Sequence, residues 1–200
     1  MSTKSIEILT EEFNKLPTIG KKTAQRLAFA VLEMEREEVE VFAKALIEAK
    51  DKVRKCAVCG NFSEEEVCVI CSDGSRDHQT ICVVEDSKDI SALERAKSYK
   101  GIYHVLHGKI APLSGKSLDQ LNIQTLVERV DKNGVKEVIM ALNPDLEGET
   151  TSMYLTKLLK NFDIRISRIA SGIPMGGNLE YSDMATLIKS LEGRRDLKDE

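Results

Sequence analysis

Four of the five cysteines, Cys56, Cys59, Cys68 and Cys71, fall into two C-x-x-C pairs with eight residues between them. Each pair is short enough to turn both sulfurs toward one ion, and the two together complete a tetrahedral thiolate shell without help from His78. Four thiolates leave no open coordination position, so the expected ion is a structural zinc that folds a stretch too short and polar to hold a core of its own. The alternative, four unrelated buried cysteines, has the doubled spacing against it. Cys82 lies in the apolar run Ile81-Cys82-Val83-Val84 and reads as a small hydrophobe without chemistry.

A second set of chemistry-bearing residues is acidic. Glu85 ends an apolar run, and Asn143-Pro144-Asp145-Leu146-Glu147-Gly148-Glu149 directly follows another. If both runs are parallel strands, these positions share the carboxyl edge of one sheet, where such folds place their sites. Glu85, Asp145 and Glu147 can then converge as oxygen ligands for Mg²⁺. The alternative is that the acids favour the start of a helix at Glu147 and Glu149.

The third set is basic. In Leu16-Pro17-Thr18-Ile19-Gly20-Lys21-Lys22-Thr23-Ala24-Gln25-Arg26-Leu27, a tight turn leads into a helix that opens with glycine and two lysines. Free backbone N–H groups and the positive end of the helix dipole suit phosphate, and Lys22 and Arg26, four apart, share a helix face. Nothing in the stretch reads base edges, so DNA binding through Lys21, Lys22 and Arg26 is expected to be sequence-independent and salt-sensitive. The competing reading is a solvated turn between core helices.

The elements that must position these residues follow from hydrophobic periodicity. Three- and four-residue spacing predicts helices over 3–15, 21–33 and 37–55, with Pro17 and Gly20 parting the first two. From about Gln79, short β-rich runs at 81–85, 102–106, 137–142 and 165–169 alternate with helices near 88–98, 124–131 and 149–160, which implies a mainly parallel, doubly covered sheet. A glycine-rich turn, 172–177, precedes a last helix near 183–191 and a charged tail.

Composition is that of a globular chain, with 42% hydrophobic and 31% charged residues. No apolar run approaches a bilayer span, and polar Ser2, Thr3 and Lys4 stand where a signal peptide needs apolar residues, so a cytoplasmic protein is expected. The whole chain carries −4, yet residues 13–32 carry four basic side chains and no acid, leaving −8 on the remainder. Screening confines each charge to about 8 Å, so this local sign outweighs the total. Two glycine-bearing stretches carry less. Residues 108–117 end in Gly115-Lys116-Ser117 like a phosphate loop, but Ile110 stands where such a loop needs glycine, and Pro112 interrupts it. The turn at 172–177 lacks the glycine spacing of a nucleotide cradle.

The basic segment resembles a helix-hairpin-helix motif, a non-specific DNA-backbone binder that usually carries glycine where this chain has Thr18. A threonine resists positive φ, which predicts a reshaped turn. Residues 79–174 resemble a Toprim domain, whose glutamate after the first strand and D-x-D-x-E stretch hold the metal of phosphoryl transfer. Asn143 replaces the first aspartate of that stretch, which lowers the site's charge and argues against catalysis. In order, the parts are a helix-hairpin-helix region (1–54), a four-cysteine zinc finger (55–72), the Toprim region and a glycine-rich turn with a C-terminal helix (175–200). This α+β, multi-part order resembles the RecR family of bacterial recombination mediators. So do Ala24-Gln25-Arg26-Leu27-Ala28-Phe29, Cys68-Val69-Ile70-Cys71, Cys82-Val83-Val84-Glu85, Pro112-Leu113 and the stretch from Gly176-Gly177 to Asp183.

The resemblance implies a DNA-binding, nucleoid-associated protein of recombinational repair without turnover. It implies a ring around DNA, commonly a homotetramer, that acts with RecO and RecF to load recombinase at gaps. On this reading Glu85, Asp145 and Glu147 serve partner docking, and Mg²⁺ is a doubtful ligand beside the structural zinc. The rival is a Mg²⁺-dependent Toprim nuclease or strand-transfer enzyme. The 61–67 loop between the cysteine pairs holds three glutamates and no basic residue, so the zinc module is expected to brace the fold rather than touch phosphate.

Overall fold

The computed structural model describes residues 3–111 and 118–195. Pro112, Leu113 and the Gly115-Lys116-Ser117 stretch lie outside them. The chain divides into two compact units, Met1–Val53 and Arg54–Glu200.

The first unit is helical: α1 (Lys4–Asn14), α2 (Lys21–Leu32) and α3 (Arg36–Lys52). Ala24 and Ala28, four apart on α2, are fully buried, and such small side chains allow close helix approach. α3 starts at a capping box in which Glu35 and Glu38 satisfy each other's backbone N–H groups. It ends at Lys52, short of the predicted 55, because Arg54 and Lys55 pair with Ser63 and Phe62 as a strand. No residue of α3 is buried, and Val41, Phe42, Leu46 and Ile47 stand exposed along it.

The second unit opens with the antiparallel ribbon β1 (Arg54–Lys55) and β2 (Phe62–Ser63), then the short helix α4 (Val69–Ser72). A sheet follows, built from β3 (Asp77–Val84), β4 (Gly101–Val105), β5 (Glu137–Ala141) and β6 (Arg165–Arg168). Its order is β4-β3-β5-β6 and every neighbouring pair is parallel. The crossovers are α5 (Ser87–Arg95), α6 (Ile123–Lys132) and α7 (Leu146–Leu159), and α8 (Met184–Glu192) comes last.

Handedness sorts the helices between the faces. Parallel crossovers are right-handed, so a connection that moves one way along the sheet lands on the opposite face from one that moves the other way. The step from β3 to β4 runs opposite to those from β4 to β5 and β5 to β6. Accordingly, Ile90 of α5 packs with Cys82, Val84, Tyr103 and Val105, while Leu126 of α6 and Leu155 and Leu159 of α7 pack with Ile81, Val83, Val138 and Met140. Alternate residues of β3 thus feed opposite cores, as the two-residue strand period requires. Cys82 is one of them, and burial pushes its thiol up to about 12. The chain reverses direction across the sheet at β3, so the loops after β3, β4 and β5 share one edge at a topological switch point.

Candidate functional site

The ribbon and α4 present four sulfurs to one point. The Sγ atoms of Cys56, Cys59, Cys68 and Cys71 lie within 4.8 Å of one another, three of them on buried residues. Backbone N–H groups shape each knuckle: Asn61 N–H donates to Cys59 Sγ at 3.4 Å and Cys68 N–H to Cys56 Sγ at 3.3 Å. Gly60 N–H closes the first turn on Cys56 O at 2.9 Å. Gly60 has φ +77°, and an added Cβ would stand 2.9 Å from Asn122 Nδ2 and 3.2 Å from Val105 O, so this knuckle needs glycine. Val105 N–H donates to Cys59 O at 2.8 Å, docking the knuckle on β4.

The thiols show why such a set calls for a divalent ion. Burial works to raise Cys56, yet the N–H groups of Cys68, Cys59 and Val58 outweigh it and bring it to about 7. Cys59 is pushed the other way by its hydrogen bond with Cys71 and by burial. A first thiolate opposes the next at this range, and a coordinated cation lets all four ionise together. The four close thiols fit a structural zinc ion.

The acidic residues meet at the switch-point edge. Glu85 follows β3, and Asp145 and Glu147 follow β5, as the parallel sheet predicts. Asn143 Nδ2 donates to Glu85 Oε2 at 2.8 Å, so the amide that replaces a carboxylate turns a repulsion into a hydrogen bond. Sequence reasoning missed the residue at the centre. Lys109 Nζ lies 2.5 Å from Asp145 Oδ2, 3.5 Å from Glu85 Oε2 and 3.9 Å from Glu147 Oε2, with its side chain 13% exposed. The hydrogen bond to Asp145 holds Lys109 above the usual ammonium range, and the same bond, helped by Gly148 N–H, holds Asp145 below the usual carboxylate range. His107 at φ 63° and Gly108 at φ 142° turn the chain back over the edge to deliver Lys109.

Asp145 uses both of its carboxylate oxygens. Its Oδ2 meets Lys109, while its Oδ1 accepts from Gly148 N–H at 2.8 Å and caps α7. The helix therefore begins at Leu146, three residues before the predicted 149, and Glu147 lies in its first turn. Glu149 is drawn elsewhere, into a two-pronged pair with Arg168. Gly148 has no room for a side chain: a Cβ would stand 2.0 Å from Asn143 O.

In the helical unit, Thr18 takes φ 68°, against the expectation that threonine would avoid positive φ. The tight turn, closed by Ile19 N–H on Leu16 O at 3.2 Å, imposes the left-handed conformation despite the β-branched side chain. Gly20 caps α2 with an extended backbone, and the space where its Cβ would stand is open. Lys21, Lys22 and Arg26 are exposed, and none forms a salt bridge among the described residues. The structure keeps Lys22 and Arg26 on the α2 helix that the four-residue spacing requires.

A zinc knuckle docked on a parallel sheet whose switch-point edge gathers acids, in a chain that also carries a helical hairpin, defines a multi-part Toprim-bearing zinc protein. Family models agree along the chain: the RecR helix-hairpin-helix matches residues 6–50, the RecR four-cysteine zinc finger domain 53–73, the Toprim domain 79–170 and the RecR C-terminal region 172–195. The chain belongs to the RecR family, a family of recombinational repair.

Proposed function

We propose that this protein acts on DNA without turnover, as a ring-forming clamp that works with RecO and RecF to promote recombinase loading at gaps. The observation that carries the absence of turnover is Lys109. Its ammonium lies among Glu85, Asp145 and Glu147, where a Toprim enzyme needs a divalent metal, and Asn143 removes a further carboxylate. Incubation with supercoiled DNA and Mg²⁺ is expected to leave the DNA uncut. Nicking abolished by Glu85→Ala would instead establish the nuclease reading, which the convergence of three acids favours.

DNA contact is assigned to Lys21, Lys22 and Arg26, free of acidic partners among the described residues. A few phosphate contacts per subunit are weak, and several hairpins held in one assembly raise effective concentration without new contacts. A closed assembly, a tetramer on the family's pattern, also lets an acidic chain present a basic inner surface. The exposed apolar residues of α3 support self-association, since a surface of this kind is stabilised by burial. Lys22→Ala with Arg26→Ala is expected to abolish DNA retention at moderate salt and to leave the oligomer mass unchanged. Retained binding would overturn the assignment.

The carboxylate edge is assigned to docking of RecO. Leu146 is 82% exposed beside Glu147, an apolar and acidic pair that suits a partner rather than a metal. Glu147→Ala is expected to weaken RecO binding in a pull-down, and unchanged affinity would remove this role. Among the described residues no helix is long and apolar enough to cross a membrane.

A further inference from the structure

The four-thiolate centre has a neighbour that the functional reading does not use. Arg129 projects from the buried face of α6, alongside Leu126 and Val130, and is 5% exposed. Its Nη1 donates to Tyr103 O at 2.7 Å and lies 3.1 Å from His104 Nδ1. His104 is fully buried, and its Nε2 lies 2.6 Å from Asn122 O. A carbonyl only accepts, so Nε2 carries the proton and bare Nδ1 accepts from the guanidinium. Burial, acting first, and the Arg129 charge both lower His104, so the ring is neutral and offers no counter-charge.

Nε and Nη2 of Arg129 are buried with no hydrogen-bond partner, and no carboxylate pairs with it among the described residues. Arginine cannot discharge, and a buried guanidinium left unpaired is strongly destabilising. Burial works against the Arg129 charge, and Cys71 leads the groups that favour it, followed by Cys59, Cys56 and Cys68. Arg129 and Cys71 also line one cavity of about 110 Å³, with Val58 and His78. Cys56 and Cys59 receive backbone N–H bonds at sulfur, whereas none to Cys71 is described. A divalent ion held by four thiolates retains a charge of about −2, and its sulfurs accept N–H donors.

We propose that Arg129 is the buried counter-charge of the zinc centre, a positioning residue whose unpaired guanidinium edge, sharing a cavity with Cys71, offsets the negative charge that four thiolates keep around a divalent ion. The proposal is independent of any DNA or partner role. It makes the Toprim core and the zinc knuckle electrostatically interdependent: loss of the ion leaves a lone guanidinium inside the sheet's helical cover.

The test uses the full chain loaded with Zn²⁺ or Co²⁺. Arg129→Met is expected to speed zinc transfer to a chromogenic chelator by about tenfold or more and to displace the thiolate-to-cobalt charge-transfer bands. Arg129→Lys, which keeps the charge but not the fork of donors, is expected to fall between wild type and Arg129→Met in both readouts and serves alone if the methionine variant does not fold. In a Cys71→His background, which lowers the site's negative charge, the effect of the Arg129 substitution is expected to shrink. Cobalt bands and zinc release unchanged from wild type in the folded Arg129 variants would overturn the proposal, because a purely packing role moves stability and leaves the metal's spectrum in place.

Discussion

Two clusters of anionic side chains lie against one parallel sheet, one in the knuckle docked on β4 and one at the sheet's switch-point edge, and they are neutralised by different means. At the knuckle, four sulfurs are held within 4.8 Å by N–H groups and a glycine turn, a spacing that suits a divalent ion. At the switch-point edge, Glu85, Asp145 and Glu147 spread around the single charge of Lys109, and Asn143 contributes a donor instead of a fourth acid. Hard carboxylates on separate loops can be served by an ammonium, which needs only hydrogen-bond contact. Thiolates packed this closely need coordinate bonds. The same sheet therefore carries one cluster built for a metal and one satisfied from within the chain.

The contrast predicts a graded series of effects. Removing zinc with a strong chelator, or substituting Cys59→Ser, is expected to unfold the knuckle, with a loss on the order of 10 kcal/mol of local folding free energy, followed by protease sensitivity at 54–72. The carboxylate edge is expected to be indifferent to the same chelator. Gly148→Ala forces a Cβ onto the Asn143 carbonyl, and a loss of about 3 kcal/mol or more in chemical denaturation is expected. Lys109→Met leaves the carboxylates without their cation and is expected to cost about 1–3 kcal/mol. It should also convert the edge into a divalent site, so that Mg²⁺ raises the melting temperature of the variant and not of the wild type. If Mg²⁺ stabilises both proteins equally, the two clusters do not differ as described.

The smallest expected effect is on pH dependence. Asp145 has its pKa lowered in the fold, so its contribution is present above the unfolded value of 3.8 and fades as pH falls through the folded one. Lys109 is raised, so its contribution is full below 10.5 and is lost as pH rises through its folded value. Both groups sit at a partly solvated edge, which screens the pair. Acid titration of the melting temperature is expected to show a shallower fall below about pH 4 in Lys109→Met than in wild type.

Much of this is legible in the sequence because it depends on local chemistry. The doubled C-x-x-C identifies its own partners, and short apolar β-rich runs separated by helices imply a parallel sheet, whose carboxyl edge collects Glu85, Asp145 and Glu147 wherever the intervening chain runs. Lys109 obeys the same end-of-strand rule, three residues after the predicted run 102–106, but the glycine and lysine that follow it imitate a phosphate loop and draw attention away. Thr18 departs from expectation for a different reason. Propensity disfavours positive φ in threonine by a small energy, and closure of a two-helix turn overrides it.

The sequence by itself determined the ligand set of the zinc knuckle, the alternation that builds the sheet, and the basic, acid-free character of the hairpin. Only the tertiary structure decided which cation answers the carboxylates and which anions face Arg129. Both depend on side chains far apart in sequence, 36 residues between Lys109 and Asp145 and 58 between Cys71 and Arg129. Charge pairing over such separations has no local pattern. It is set by where crossovers land and how far each loop turns back, and those are properties of the packed sheet.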